Sequence, residues 1–129
     1  MQYKNMIKLP ESELEVMQAI WLLNEAGEKA VSAGLIMDRY PELNRLKLTT
    51  VLTLITRLHS KGYLKIEKIG RSNCYTPIVP LKDYRKFALQ DFAEKLYGKD
   101  KVGFLKSILT DGSLTKKEVE QLKDFITNS

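Results

Sequence analysis

Chain breakers cut the first 80 residues of this sequence into pieces too short for a long helix or a wide sheet. Gly27, Pro41, Gly62, Gly70, Pro77 and Pro80 stand where regular elements must end. Glycine favours turns, and proline can neither extend a helix nor serve a central ladder. Apolar residues follow helical spacing as far as Gly62 and strand spacing beyond it. That order admits three short helices followed by a β-hairpin.

Ser12-Glu13-Leu14-Glu15 has the form of a capping box, in which a serine and an acid three residues later satisfy two backbone donors. A first helix is therefore expected from Ser12, with Val16, Met17, Ile20 and Trp21 facing a core and an end near Asn24. Ser32 is expected to cap a second helix that carries Leu35, Ile36 and Tyr40 and stops before Pro41. Residues 41–44 form the turn. A third helix is expected over 47–61, with Leu48, Val51, Leu54, Ile55 and Leu58 on its buried face and Gly62 as a left-handed cap. Leu64 and Ile66 then alternate with Lys65 and Glu67, Gly70-Arg71-Ser72-Asn73 has turn chemistry, and Cys74-Tyr75-Thr76 forms the second strand.

Beyond Pro80 the pattern is helical again. Tyr84, Ala88, Phe92 and Leu96 recur every four residues, Leu105, Ile108 and Leu109 follow, and Thr115-Lys116-Lys117-Glu118 makes a second capping box before Val119, Leu122 and Ile126. Helices apolar on one side, in so short a stretch, bury little alone, so pairing with a second copy is expected to cover them. The expected fold class is mainly α with a small β-hairpin wing. Residues 1–79 form a winged helix-turn-helix domain and residues 80–129 a helical dimerisation arm. Tyr84, Phe87, Ala88, Phe92, Leu96, Leu105, Ile108, Leu109, Leu122 and Ile126 are the expected dimer contacts.

The chain carries a net charge of +5, and its distribution says more than its sum. From Met1 to Asn44 four lysines and arginines face seven carboxylates, a net of −3. From Arg45 to Arg71 seven cations (Arg45, Lys47, Arg57, Lys61, Lys65, Lys68 and Arg71) face Glu67 alone, a net of +6. Positive charge thus gathers on one helix and one hairpin, the footprint expected for a polyanion.

The third helix is also unusual in its side chains. Opposite its apolar stripe lie Thr49, Thr53, Thr56, Arg57 and Ser60, with Lys47 and Thr50 beside its first turn. Threonine loses rotamer freedom in a helix, so a surface selected for stability alone favours Glu, Lys or Ala. Its short hydroxyl suits phosphates and base edges, its methyl suits thymine, and a slim face fits a major groove about 12 Å wide. A solvated, incidentally threonine-rich face is the ordinary reading of one such helix. Two preceding helices and a following basic hairpin favour DNA instead, with Lys47, Thr49, Thr50, Thr53, Arg57 and Lys65 as contacts and Arg71 as the wing residue. Leu52 projects off the apolar stripe, towards a neighbouring loop or a thymine methyl, with packing the expected role.

Other chemistries lack the residues they need. One cysteine, Cys74, forms no internal disulfide, which suits a reducing cytoplasm. The one histidine, His59, has no ligand partners at metal spacing, and neighbouring His59 and Ser60 point about 100° apart on a helix. No glycine-rich phosphate loop occurs. No run is apolar enough for a membrane span, and Met1-Gln2-Tyr3-Lys4-Asn5 lacks the apolar core of a secretory leader. Neither enzyme, cofactor, metal nor membrane is expected. The alternative to a DNA-binding regulator is a winged-helix module that grips protein without sequence-specific DNA binding.

Taken together, Ser12-Glu13-Leu14-Glu15-Val16-Met17 with Ile20-Trp21, then Thr50, Thr53, Arg57-Leu58 and Lys61-Gly62, then Gly70-Arg71 and Tyr75-Thr76-Pro77 resemble the penicillinase-repressor (BlaI/MecI) family of bacterial transcriptional regulators over nearly the whole chain. The resemblance implies a homodimeric repressor on a palindromic double-stranded DNA operator, with Thr50 and Thr53 on the recognition helix and Arg71 on the wing. It also implies a protease that inactivates the repressor. Two stretches depart from the family pattern. Lys47-Leu48-Thr49-Thr50 replaces a frequent Ser-Pro-Lys-Thr, and Ser107-Ile108 stands where members controlling β-lactam resistance carry a cleaved Asn-Phe bond. The C-terminal cysteines of copper-responsive relatives are absent from this sequence.

Overall fold

The computed structural model describes residues 6–129. The five residues on which the expectation about a secretory leader rests lie outside the described residues. Helix α1 spans Glu11–Glu25, α2 Ala33–Arg39 and α3 Leu48–Ser60, with a 3-10 turn at Pro41–Arg45 between α2 and α3. Strands β1 (Leu64–Ile69) and β2 (Ser72–Pro77) form an antiparallel hairpin, and α4 (Leu81–Tyr97), α5 (Lys101–Thr110) and α6 (Lys116–Thr127) follow. The fold is mainly helical with a two-stranded wing, as the pattern of breakers predicts.

Local sequence explains most boundaries. The Ser32 hydroxyl accepts from Leu35 N at 3.1 Å and caps α2, while Thr115 and Glu118 form a complete capping box on α6. Gly62, with φ +80°, ends α3 in the left-handed conformation that a side chain disfavours. At the hairpin tip Ile69 faces Ser72 across a two-residue turn, Gly70-Arg71, with Gly70 at φ +64°. Glycine in the first central position suits the turn whose twist matches paired strands. Ser72 and Asn73, expected in the turn, belong to β2.

Two expectations about α1 and α3 fail for identifiable reasons. The capping box at Ser12 does not form, because Pro10 takes the cap position at φ −59° and ψ 157° and its carbonyl accepts from Leu14 N at 2.9 Å. Ser12 therefore lies inside the first turn. Leu48 does not join the buried stripe. It is 50% exposed, and as the first residue of α3 it points about 70° away from the centre of the face made by Val51, Leu54, Ile55 and Leu58. Ile66 is also exposed, since only the base of the hairpin, at Leu64, Cys74 and Tyr75, reaches the core.

The core centres on α1. Val16, Met17, Ile20 and Trp21 are fully or almost fully buried, together with Ile36, Leu43, Val51, Leu54, Ile55, Leu58, Tyr63 and Leu64. One side is an aromatic group in which the Tyr84 ring lies 5.5 Å from Trp21 and 5.8 Å from Tyr63, centre to centre. Each polar tip is satisfied. Trp21 Nε1 donates to the Val79 carbonyl at 2.8 Å, the Tyr63 hydroxyl donates to the Ile7 carbonyl at 2.6 Å, and the Tyr84 hydroxyl accepts from Leu9 N at 2.9 Å. Burial raises the Tyr63 phenol well above its ordinary pKa, so it keeps the proton that it donates. The connection before α2 is tied to the wing, with Tyr75 N donating to the Val31 carbonyl at 2.8 Å.

Tyr84, expected in the dimer interface, is instead 4% exposed and part of this core. The chain accordingly divides into two compact units, one ending at Phe87 and one spanning Ala88–Ser129. The break falls inside α4 and not at the prolines around residue 80, because Leu81 and Tyr84 are buried with the first unit. In the second unit Phe104 is buried, with the rings of Tyr97 and Phe92 at 5.4 and 6.0 Å. Among the described residues no helix is long and apolar enough to cross a membrane.

Replacing Tyr84 by Phe keeps the ring and removes the acceptor of the buried Leu9 amide, whose lost partner costs about 1–3 kcal/mol. Urea denaturation is expected to show a lower midpoint with an unchanged slope; an unchanged midpoint would mean that this hydrogen bond contributes nothing.

Candidate nucleic-acid interface

Burying Val51, Leu54, Ile55 and Leu58 against α1 and α2 fixes the rotation of α3 about its own axis. At about 100° per residue, the direction opposite that stripe is occupied by Thr49, Thr53, Thr56 and Ser60, all exposed. They form a ridge roughly 16 Å long. Thr50 and Arg57 flank it on one side, and Leu48, Leu52 and His59 on the other. The structure thus brings together Lys47, Thr49, Thr50, Thr53 and Arg57 on the exposed surface of one helix, with Lys65 exposed on β1 and Arg71 exposed at the tip of the wing. Leu52, expected to pack against a loop, is 39% exposed on the edge of α3 that also carries Leu48.

The ridge has defined hydrogen-bonding character. Thr53 Oγ1 donates to the Thr49 carbonyl at 2.9 Å, and Thr56 Oγ1 donates to the Leu52 carbonyl at 3.0 Å. Each hydroxyl spends its proton on the preceding turn and keeps acceptor lone pairs for an outside donor. Such a donor on a base edge is the amino group of cytosine or adenine in the major groove. The first turn of α3 carries no acid and has no side-chain cap, so its open amides and Lys47 favour an anion there.

The cations divide into two groups. Arg45 lies between the Glu15 oxygens at 2.6 and 2.7 Å, and this pair raises the guanidinium pKa above its ordinary value. Lys61 donates to Glu13 at 2.5 Å, and Glu13 is only 4% exposed. Lys47, Arg57, Lys65, Lys68 and Arg71 form no ion pair among the described residues. Five unneutralised charges therefore remain around the ridge and the wing. Lys65 and Lys68 fall on opposite faces of β1, so they do not approach one surface together.

The two ion pairs escape a reading of local sequence. Glu13 and Glu15 project from one helix to opposite ends of α3, Lys61 at its C-terminus and Arg45 ahead of its N-terminus. Alternate acids on α1 with basic residues bracketing α3 are the available signal, and a capping box at Ser12 gives Glu15 a competing role. Among the described residues no group of three or more His, Cys, Asp or Glu could hold a metal, and His59 stands exposed on the edge of α3.

The sequence has known counterparts. The family model of the penicillinase repressor matches residues 9–128. The penicillinase repressor of Staphylococcus aureus is 29% identical over 122 residues, covering 95% of this chain and 93% of its own. An uncharacterised 16.5 kDa protein of Latilactobacillus sakei is 31% identical over 124 residues, covering 96% of this chain and 82% of its own. The solution structure of the DNA-binding domain of the repressor BlaI matches with a TM-score of 0.49 at 28% identity, covering 63% of this chain and 93% of that one.

The unequal burial of the two ion pairs makes a ranking. Glu15 pairs with a half-exposed arginine and is expected to contribute little, whereas Glu13→Gln strips a nearly buried pair and is expected to cost about 1–2 kcal/mol after allowance for the partly exposed lysine. A double-mutant cycle with Lys61→Met measures the coupling. Equal losses for Glu13→Gln and Glu15→Gln would contradict the assignment of Glu13 as the stronger clamp.

Proposed function

Because the chain belongs to the penicillinase-repressor family, we propose that it represses transcription as a homodimer, placing two copies of α3 in successive major grooves of a palindromic operator. The observation that carries this reading is the exposed threonine ridge of α3, free of carboxylates and bordered by cations without partners. Thr49, Thr50 and Thr53 face base edges, while Lys47, Arg57, Lys65 and Arg71 hold phosphates, with Arg71 reaching the backbone or the adjacent minor groove from the wing. The site of action is the cytoplasm, where the operator of such a regulator lies. No part of this work is catalytic; binding in the path of the polymerase suffices.

Dimerisation is supported by what the second unit leaves uncovered. Phe87 and Ala88 are half-buried, whereas Phe92, Leu96, Leu105, Ile108, Leu109, Leu122 and Ile126 are all exposed in the single chain, as are Leu89, Val102 and Phe125. Helix α6 has no buried residue at all. An amphipathic helix of this length holds little structure without a partner for its apolar edge, and a second copy supplies one by symmetry. Residues 80–129 act as the dimerisation arm in this reading, with the first turns of α4 anchored in the DNA-binding unit. A protease that ends repression is the third partner. The Ser107–Ile108 bond lies within α5, with Ser107 Oγ donating to the Gly103 carbonyl at 3.0 Å, so cutting there requires local unwinding.

Four phosphate contacts per subunit make eight per dimer, and the binding constant is expected to fall with salt at a log–log slope of about −7. Gel-shift titrations on the DNA upstream of the protein's own gene, and on a scrambled duplex, test the assignment. Arg71→Ala is expected to weaken both alike and lower the slope by about 2; Thr53→Ala is expected to cost about fivefold per half-site on the matched duplex alone. Retention that is salt-sensitive but blind to sequence would favour the protein-binding alternative.

Leu122→Glu combined with Ile126→Glu places charge on the exposed edge of α6 without replacing any buried side chain. Sedimentation is expected to shift from dimer to monomer, with operator affinity falling by at least tenfold through loss of the second half-site. A variant that still sediments as a dimer would remove α6 from the interface.

A further inference from the structure

Leu48 and Leu52 have no place in the account so far. They lie one helical turn apart on α3, are 50% and 39% exposed, and border the threonine ridge on the side opposite Arg57. An isolated exposed leucine is ordinary. Two that are adjacent on the helix surface, at the end that enters a groove first, form a continuous apolar strip beside groups that seek a polyanion. Their own chain covers them only in part: the stripe that meets α1 is centred about 70° from Leu48 and about 110° from Leu52.

We infer that Leu48 and Leu52 are specificity residues that read the C5-methyl groups of thymines in the operator. The inference rests on the major-groove placement of α3 proposed above. Residues in the first turns of a recognition helix are those that reach base edges. A leucine side chain offers neither donor nor acceptor, and the one apolar feature that a base pair presents in the major groove is the thymine methyl. The flanks of α3 then divide the labour. Thr50 and Arg57 on one side supply polar contacts, the ridge supplies hydroxyl acceptors, and the leucine strip supplies a dry surface that discriminates thymine from cytosine. Binding gains by removing both the strip and the methyls from water, about fourfold for each methyl covered.

The test replaces thymine by deoxyuridine, which deletes the methyl and leaves every hydrogen-bonding group unchanged. A preferred duplex is first selected from a random library with the full-length protein, and each thymine of the half-site is then replaced in turn. The native protein is expected to lose about fourfold at one or two positions, and about fifteenfold when a position is changed in both half-sites. Leu48→Ala and Leu52→Ala, both at half-exposed sites and both good helix formers, are expected to keep the native helix content by circular dichroism. Each is expected to bind thymine and uracil equally at its own position. Indifference of the native protein to uracil throughout the site overturns the inference while leaving sequence-specific binding intact. Persistence of the thymine preference in the double variant overturns it as well, by assigning the methyls to other side chains. A selection that yields no preferred sequence sinks the operator reading and this inference with it.

Discussion

The burial of one face of α3 governs what the molecule can present to its surroundings. Val51, Leu54, Ile55 and Leu58 leave almost none of their surface to water, and each contributes about 1.5–3 kcal/mol relative to exposure. No rotation of α3 keeps these four side chains dry except the observed one, and the opposite direction follows from the helical period. Thr49, Thr53, Thr56 and Ser60 are therefore held outward by the core on the far side of the helix. The energy that folds the unit also aims the ridge.

Rotation alone does not fix where a helix points, and the ion pairs supply the remaining restraint. Glu13 and Glu15 sit on the same helix two residues apart, yet they engage Lys61 and Arg45 at opposite ends of α3. Sliding α3 along α1 would strain both contacts, and lifting one end would leave Glu13 buried without a partner. These pairs also neutralise two of the seven cations between Arg45 and Arg71. The charges that remain unpaired are those on the helix surface and the wing, so acids on α1 shape the electrostatic footprint as well as the geometry. On the other side of α1, the rings of Trp21, Tyr63 and Tyr84 join the chain before α1, the base of the hairpin and the start of α4 through three satisfied polar tips. The wing and α3 are thereby carried on a single packed body.

Much of this was legible in the sequence because the relevant signals are local. Breakers at Pro41, Gly62 and Gly70, the serine cap of α2 and the threonine capping box of α6 act within a few residues, and each stands where it was expected. The outward ridge was equally legible, since four core residues on α3 determine its direction. The failures arise where a distant partner decides the outcome. Pro10 displaced Ser12 as the cap of α1. Tyr84 keeps a perfect four-residue spacing with Ala88, Phe92 and Leu96, yet Trp21 and Tyr63, 63 and 21 residues earlier in the chain, draw it into the first core. Glu13 and Lys61 are 48 residues apart, and no periodicity links them. Leu48 matched the apolar period but lies ahead of the turn that packs, so spacing alone placed it on the wrong face.

The two units differ in how far they satisfy themselves, and that difference bears on function. The first unit encloses a core of aliphatic and aromatic side chains with no unpartnered buried side-chain polar atom among the described residues. In the second, Phe104 is the one buried apolar residue, and α6 buries none. One copy of α3 reaches a few base pairs, which yields little preference over the excess of competing sequence in a genome. In the proposed dimer, coupling two copies through the second unit makes the second contact effectively intramolecular and multiplies the discrimination of one half-site by that of the other. The second unit of the proposed dimer completes its packing on pairing, which makes dimer formation a condition of the arm's own order. Tight operator binding by that dimer is tied to the integrity of α5 and α6, far along the chain from the residues assigned to DNA, so damage to those helices is expected to release the operator without altering the surface assigned to read it.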